Sequence, residues 1–246
     1  MSKLIAIVAG VGPGTGAAVA RRFATAYPVV LLSRNASSFN FLVDEINGNG
    51  GKAIGIPTDV SDAASVKNAI DSIHKEFGAD VAAAAAVFNA AGGFIRKPFL
   101  ELTEEEFSRG ITVSGKGSFV FSQATLPLLL KGVDAGSKYP PTLIFTGATA
   151  SLRGSAQLSA FATGEFAKRA LAQSLGREFG PKGVHVANAI IDGVIDIEKT
   201  KEWLKDAGPD AKIKADAIAE AYWSLHTQHR SALTHEIDIR PFVEKW

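Results

Sequence analysis

Residues 4–20 read LIAIVAGVGPGTGAAVA, and this stretch decides the fold. Residues 4–8 are rich in Ile and Val and too short to make a helix of their own, so they read as a buried strand. Gly10, Gly12, Gly14 and Gly16 then break the apolar run, and small residues from Ala17 onward reopen it as a helix. Such glycines allow a tight turn and a close approach of backbone to a pyrophosphate, whose charge the free amides of the helix N-terminus hold. The stretch predicts a dinucleotide site; the competing reading is a glycine-rich turn with no ligand.

Beyond it, strands and helices alternate. Strands are expected at 29–33, 53–57, 81–88, 142–146, 184–191 and 235–239, and helices from 17 to 26 and at 41–46, 63–77, 104–131, 160–179 and 212–226. The helix at 63–77 puts Val66, Ile70 and Ile73 on one face, and the one at 104–131 is interrupted near Gly115 and Gly117. This alternation implies an α/β fold, a Rossmann-type doubly wound parallel sheet flanked by helices. No linker, repeat or low-complexity tract divides the chain, so residues 1–246 are read as one domain.

The totals narrow the partners. With 26 basic and 25 acidic residues, a net charge of +1 and no block of like charge, the chain offers no footprint for nucleic acid or an anionic membrane. It has no cysteine, which removes disulfide and thiolate chemistry, and its five histidines are too scattered to suggest a metal. The polar start MSK lacks a signal-peptide core, and the longest apolar run, 80–91, carries Asp80 and Asn89. The expectation is a cytoplasmic protein whose partners are a small-molecule substrate and copies of itself.

The second strand ends in Ser33, Arg34 and Asn35, with no acid before Asp44. A site selective for NAD has Asp or Glu near here for the ribose 2′-hydroxyl. A guanidinium instead suits a 2′-phosphate through bidentate pairing. NADP is therefore favoured over NAD, the alternative being that Arg34 is a solvated loop cation.

Two glycine fingerprints overlap in the opening stretch. Gly12, Gly14 and Ala17 fit the general G-x-G-x-x-A pattern. Gly10, Gly14 and Gly16 fit G-x-x-x-G-x-G, which resembles the short-chain dehydrogenase/reductase family, with Ala9 in place of its usual Thr; Gly10 directly follows the strand, which favours this reading. Asn89, Ala90, Ala91 and Gly92 resemble that family's N-N-A-G, with Ala90 replacing the second Asn. The resemblance covers nearly the whole chain. It implies that Asp59 and Val60 lie against the adenine, that Asn89 steadies the sheet through backbone, and that Ala91 and Gly92 leave room for the cofactor. It also implies a homodimer or homotetramer, packed through the helices near 105–131 and 160–179, with apolar Phe119, Phe121 and Leu126 compatible with that role. The ending Arg240, Pro241, Phe242 and Trp246 is apolar for a free tail and is expected to dock.

The family's reductases use a Tyr as acid, a Lys four residues later, a Ser and an Asn. Here Phe161 falls at the Tyr, Glu165 at the Lys, Ala148 at the Ser and Ser114 at the Asn. Phenylalanine has no proton to give and alanine no hydroxyl, so alkoxide formation lacks its usual acid and donor. Thr149, beside Ala148, is the nearest substitute hydroxyl, and Lys168, seven residues past Phe161, the nearest substitute cation. Glu165 is expected to accept from ribose hydroxyls and to favour a cation; the bland reading pairs it on the surface with Arg169, four residues on. Phe161 is otherwise simple packing. Asp192 stands where the family has Pro before Gly193, near the nicotinamide with Ile195. These substitutions predict a reductase acting on an iminium, an imine, an activated alkene or a carbonyl without the Tyr acid. The alternative is a protein that keeps the fold without redox work, as a scaffold, cyclase or isomerase.

Overall fold

The computed structural model describes residues 4–244, so the MSK start and Trp246 lie outside the described residues. Seven strands form one sheet: β1 (Leu4–Ala9), β2 (Val29–Ser33), β3 (Ala53–Pro57), β4 (Ala82–Phe88), β5 (Thr142–Ala148), β6 (His185–Ile191) and, after a short β7 (Ile195–Asp196) and β8 (Ile213–Lys214) that pair with each other, β9 (Glu236–Ile239). Their order is β3-β2-β1-β4-β5-β6-β9 and every pairing is parallel. The chain winds outward from β1 to β3, then restarts at β4 on the other side of β1. The switch point therefore lies between β1 and β4, where open α/β sheets bind ligands beyond the strand C-termini.

Strand alternation divides the core into two layers. Ile5, Ile7 and Ala9 of β1 face Phe88, Phe121, Leu129 and Phe145, while Ala6 and Val8 face Phe23, Leu42 and Tyr222. The first layer is covered by α3 (Ala63–Phe77), α5 (Gly117–Asp134) and α6 (Ser159–Phe179), the second by α1 (Thr15–Ala24), α2 (Asn40–Gly48) and α7 (Ala215–His226). The alanine run of β4 has a packing reason. A Cβ at Gly132 of α5 would come within 2.4 Å of the Ala83 carbonyl, so small residues on both sides let helix and strand approach closely.

Several boundaries differ from the sequence reading. Helix α1 starts at Thr15, directly after Gly14, so the glycine loop itself forms its N-cap. The helix expected at 212–226 begins at Ala215, because Ile213 and Lys214 are drawn into β8 and Lys212 is held 2.9 Å from Asp196. The interruption expected near Gly115 is a π-helical stretch, Ile111–Lys116, between α4 (Glu104–Gly110) and α5. It forms where α4 and α6 touch backbone to backbone: a Cβ at Gly164 would sit 2.4 Å from the Gly110 carbonyl, and one at Gly110 would sit 2.3 Å from that of Ala160. Of the three apolar residues assigned to an oligomer contact, Phe121 and Leu126 are buried within the subunit, and Phe119 is half exposed. No helix among the described residues is long and apolar enough to cross a membrane.

Candidate active site

The C-terminal ends of the strands bring Gly10, Arg34, Asp59, Asn89, Ala148 and Asp192 to one edge of the sheet. Gly10 has φ +85°, and a Cβ there would lie 2.5 Å from the Ala90 amide; one at Gly16 would lie 2.6 Å from the Gly10 carbonyl. Gly10 is thus required by the contact of the loop with the end of β4, and Gly16 by the fold of the loop over the start of α1. Asn89 donates from Nδ2 to the Gly10 carbonyl at 2.9 Å, tying β4 to the loop through backbone. Above Gly12 nothing lies within 4 Å of a Cβ, whereas one at Gly14 would meet Ile197 Cγ2 at 2.9 Å. No side chain caps α1 and no acid stands in its first turn; the Ala17 amide bonds the Gly12 carbonyl at 3.1 Å, which leaves the Thr15 and Gly16 amides at the positive end of the helix dipole.

A cleft of about 230 Å³ continues from this loop, walled by Ser33, Arg34, Asp59 and Val60 on one side and by Asn89, Ala91, Arg109 and Val113 on the other. The Ser61 hydroxyl and amide both donate to Asp59 and, with Arg34 and Lys116 nearby, hold its carboxyl below the ordinary range. The cap of α3 is Asp62, which accepts from the Ala64 amide, so Asp59 is not needed for that task. Asn35 is exposed at the head of a 3-10 turn and makes no capping bond. Unbonded helix amides, an open loop, an arginine and a carboxylate beside a slot of this size fit the phosphates and adenosine of a dinucleotide.

The far side of the edge holds the residues that the sequence reading aligns with the family's tetrad. Phe161, on the first turns of α6, packs edge to face on Phe94 with ring centroids 5.5 Å apart. Glu165 and Lys168 turn inward from the next turn and are buried, with Lys168 Nζ 2.9 Å from Glu165 Oε1. Ser114, on the π-helical stretch, donates to the same Oε1 at 3.1 Å and accepts from the Gly92 amide at 3.3 Å. A π-helical turn often marks a functional position. Ala148 ends β5; Thr149, next to it, donates to Asp192 Oδ1, while Arg240 approaches Asp192 Oδ2 at 3.2 Å. Gly193 lies under Pro241, whose Cδ would be 2.7 Å from a Cβ there, and Ile195 opens β7. The C-terminal stretch therefore docks on the turn after β6, leaving Phe242 exposed.

The surface pair of Glu165 with Arg169 does not form. Arg169 instead makes a bidentate contact with Glu236 of β9, which lowers the Glu236 carboxyl and raises the guanidinium. Lys168 and Arg169 follow Glu165 on one helix at similar spacing, but Lys168 is buried with Glu165 while Arg169 points to β9. Three contacts were not expected from the sequence. Arg109 lines the cleft, Arg240 reaches Asp192 from just past the end of β9, and the buried Tyr222 donates to Thr146 Oγ1 at 2.8 Å. Arg109 carried one signal, its place one turn before Val113; the other two contacts join segments far apart in sequence.

Comparison with known proteins places the chain. The profile of the short chain dehydrogenase family matches residues 4–208, and the chain belongs to that family. An uncharacterized oxidoreductase from Staphylococcus epidermidis is 26% identical over 243 residues, covering 98% of each chain. A short-chain dehydrogenase from Rhodopseudomonas palustris is 31% identical and superposes with a TM-score of 0.76 over 96% of this chain and 99% of its own. An alcohol dehydrogenase from the archaeon Thermococcus sibiricus, complexed with 5-hydroxy-NADP, is 25% identical with a TM-score of 0.82 over 99% of each chain.

Proposed function

We propose that this short-chain dehydrogenase binds NADPH in preference to NADH and reduces a substrate that needs no proton from the protein, an iminium ion first and, with a proton taken from water, an activated alkene, imine or carbonyl less readily. The nicotinamide, when bound, supplies the hydride. One observation carries the reading: each substitute donor near the tetrad positions is already directed at a carboxylate. Ser114 and Lys168 donate to Glu165, and Thr149 donates to Asp192. With its proton on Asp192, Thr149 presents lone pairs to the site, and Phe161 adds an aromatic face that also favours a cation. An iminium carbon that accepts a hydride sends its π pair to nitrogen and leaves a neutral amine. A ketone leaves an alkoxide, which none of these residues is placed to protonate.

Arg34 beside the cleft supports NADP, and the NADP-type ligand of the Thermococcus enzyme is in keeping with it. Glu165 Oε2 accepts no hydrogen bond among the described residues, which leaves it for a ribose hydroxyl. Exposed Ile111, Phe119 and Phe166 on the helices at 104–134 and 159–179 support a homodimer or homotetramer. Rapid-mixing measurement of NADPH absorbance with cyclic imines, enones and aldehydes tests the reading; turnover is expected with the first class, and none in all three overturns it. The mutual neutralisation of Glu165 and Lys168 favours a second reading, a fold that binds the nucleotide without redox work. Tight NADPH binding with no oxidation in the same experiment is its signature.

A further inference from the structure

Two arginines line the cleft, and they stand on opposite walls. Arg34 belongs to the wall made by the ends of β2 and β3, Arg109 to the wall made by the end of β4 and the last turn of α4, with Gly10 between them. Arg109 is exposed, and its side chain makes no hydrogen bond or ion pair within the described residues. Its backbone is pinned beside the cleft, because a Cβ on Gly92 would come within 2.6 Å of the Arg109 carbonyl. A dinucleotide crossing from the β2 side to the β5 side passes its adenosine ribose by Arg34 and its pyrophosphate over the β1–β4 boundary, where α1 begins. At that boundary the amides of α1 stand on one side and Arg109 on the other.

We propose that Arg109 is a second cofactor-binding arginine, closing on the pyrophosphate opposite the N-terminus of α1, while Arg34 holds the 2′-phosphate. The two residues thereby divide affinity from selectivity. Arg109 grips a group common to NADPH and NADH, and Arg34 a group that only NADPH carries. The inference rests on the dinucleotide reading, and its test separates the two.

Affinities of the full chain and of Arg109→Gln, Arg109→Lys and Arg34→Gln are measured by calorimetry for NADPH, NADH, adenosine 5′-diphosphate and adenosine 2′-monophosphate. Arg109→Gln is expected to weaken NADPH, NADH and the diphosphate by a similar factor, roughly tenfold for a lost charge-assisted contact, and to leave the 2′-monophosphate unchanged. Arg109→Lys should recover part of the loss. Arg34→Gln should weaken NADPH and the 2′-monophosphate alone. Equal affinities in Arg109→Gln and the parent for all four ligands, or a loss confined to the 2′-phosphorylated pair, overturn the role of Arg109 while leaving the cofactor assignment standing. Failure of the parent chain to bind any of the four overturns both.

Discussion

Lys168 and Glu165 form an ion pair of 2.9 Å inside the protein, one turn apart on α6. Charges that deep are held only because each satisfies the other, with Ser114 adding a donor to the carboxylate. Glu165, expected from the sequence to face a ribose or a cation, is thus the anchor of Lys168.

Removing one partner strands the other. Lys168→Ala should destabilise the fold by about 3–5 kcal/mol, as broken buried pairs do, whereas the double variant Glu165→Gln with Lys168→Met should lose far less. Urea unfolding followed by tryptophan fluorescence separates them, and equal losses in the two variants contradict the pairing.

The pair also changes how a tetrad is rebuilt. Phe161→Tyr, Glu165→Lys and Ala148→Ser together place a second ammonium beside Lys168, so this triple variant should fold poorly. Adding Lys168→Met removes the repulsion and is expected to yield aldehyde reduction with NADPH, measurable by loss of absorbance. A well-folded quadruple variant that stays silent counts against the placement of the site at Phe161.

Thr149 distinguishes a proton donor from an acceptor. If it donates to Asp192, Thr149→Val should alter KM for a cationic substrate while kcat falls only severalfold. Were it the acid for a carbonyl, kcat would fall by about 10²–10⁴. Steady-state kinetics of the variant decide between these.

At the opposite end of the sheet, buried His226 contacts Thr142 Oγ1 at 3.0 Å and the Tyr27 hydroxyl at 2.9 Å, and burial drives its pKa down from 6.5 to about 4. The nearby His185 shifts in the same direction. A histidine lowered on folding binds its proton more readily in the unfolded chain. Its stabilisation is therefore complete above pH 6.5 and is lost as the pH falls toward 4. Between pH 7 and pH 5 this amounts to roughly 2 kcal/mol for His226. Unfolding midpoints across that interval should show the decline, and His226→Gln should flatten it.

Much of the architecture was written locally. The run from Leu4 to the glycine loop, the second strand ending at Arg34 and the alternation that follows each depend on neighbours in sequence, and they lead to the parallel sheet and to a slot beside Gly10. The partners of Glu165 were not legible in the same way. Spacing of three or four residues places Lys168 and Arg169 equally near it, and only tertiary packing separates them, with Lys168 buried and Arg169 drawn to Glu236. Arg240 and Tyr222 reach their partners across the sheet, and short β8 overrides the helical pattern around Lys212. Tertiary contacts of this kind leave no local trace.

Reduction without a protein acid requires that the substrate bring its own positive charge. The direct measurement follows deuterium from NADPH deuterated at the transferred position into two isosteric rings, one an N-methylated cyclic iminium, which is permanently cationic, and the other the corresponding cyclic ketone. Mass spectrometry of the products under single-turnover conditions is expected to find one deuterium in the amine, with the ketone at least about 100-fold slower for want of a general acid. Equal or faster labelling of the ketone, or no label in either product, contradicts it.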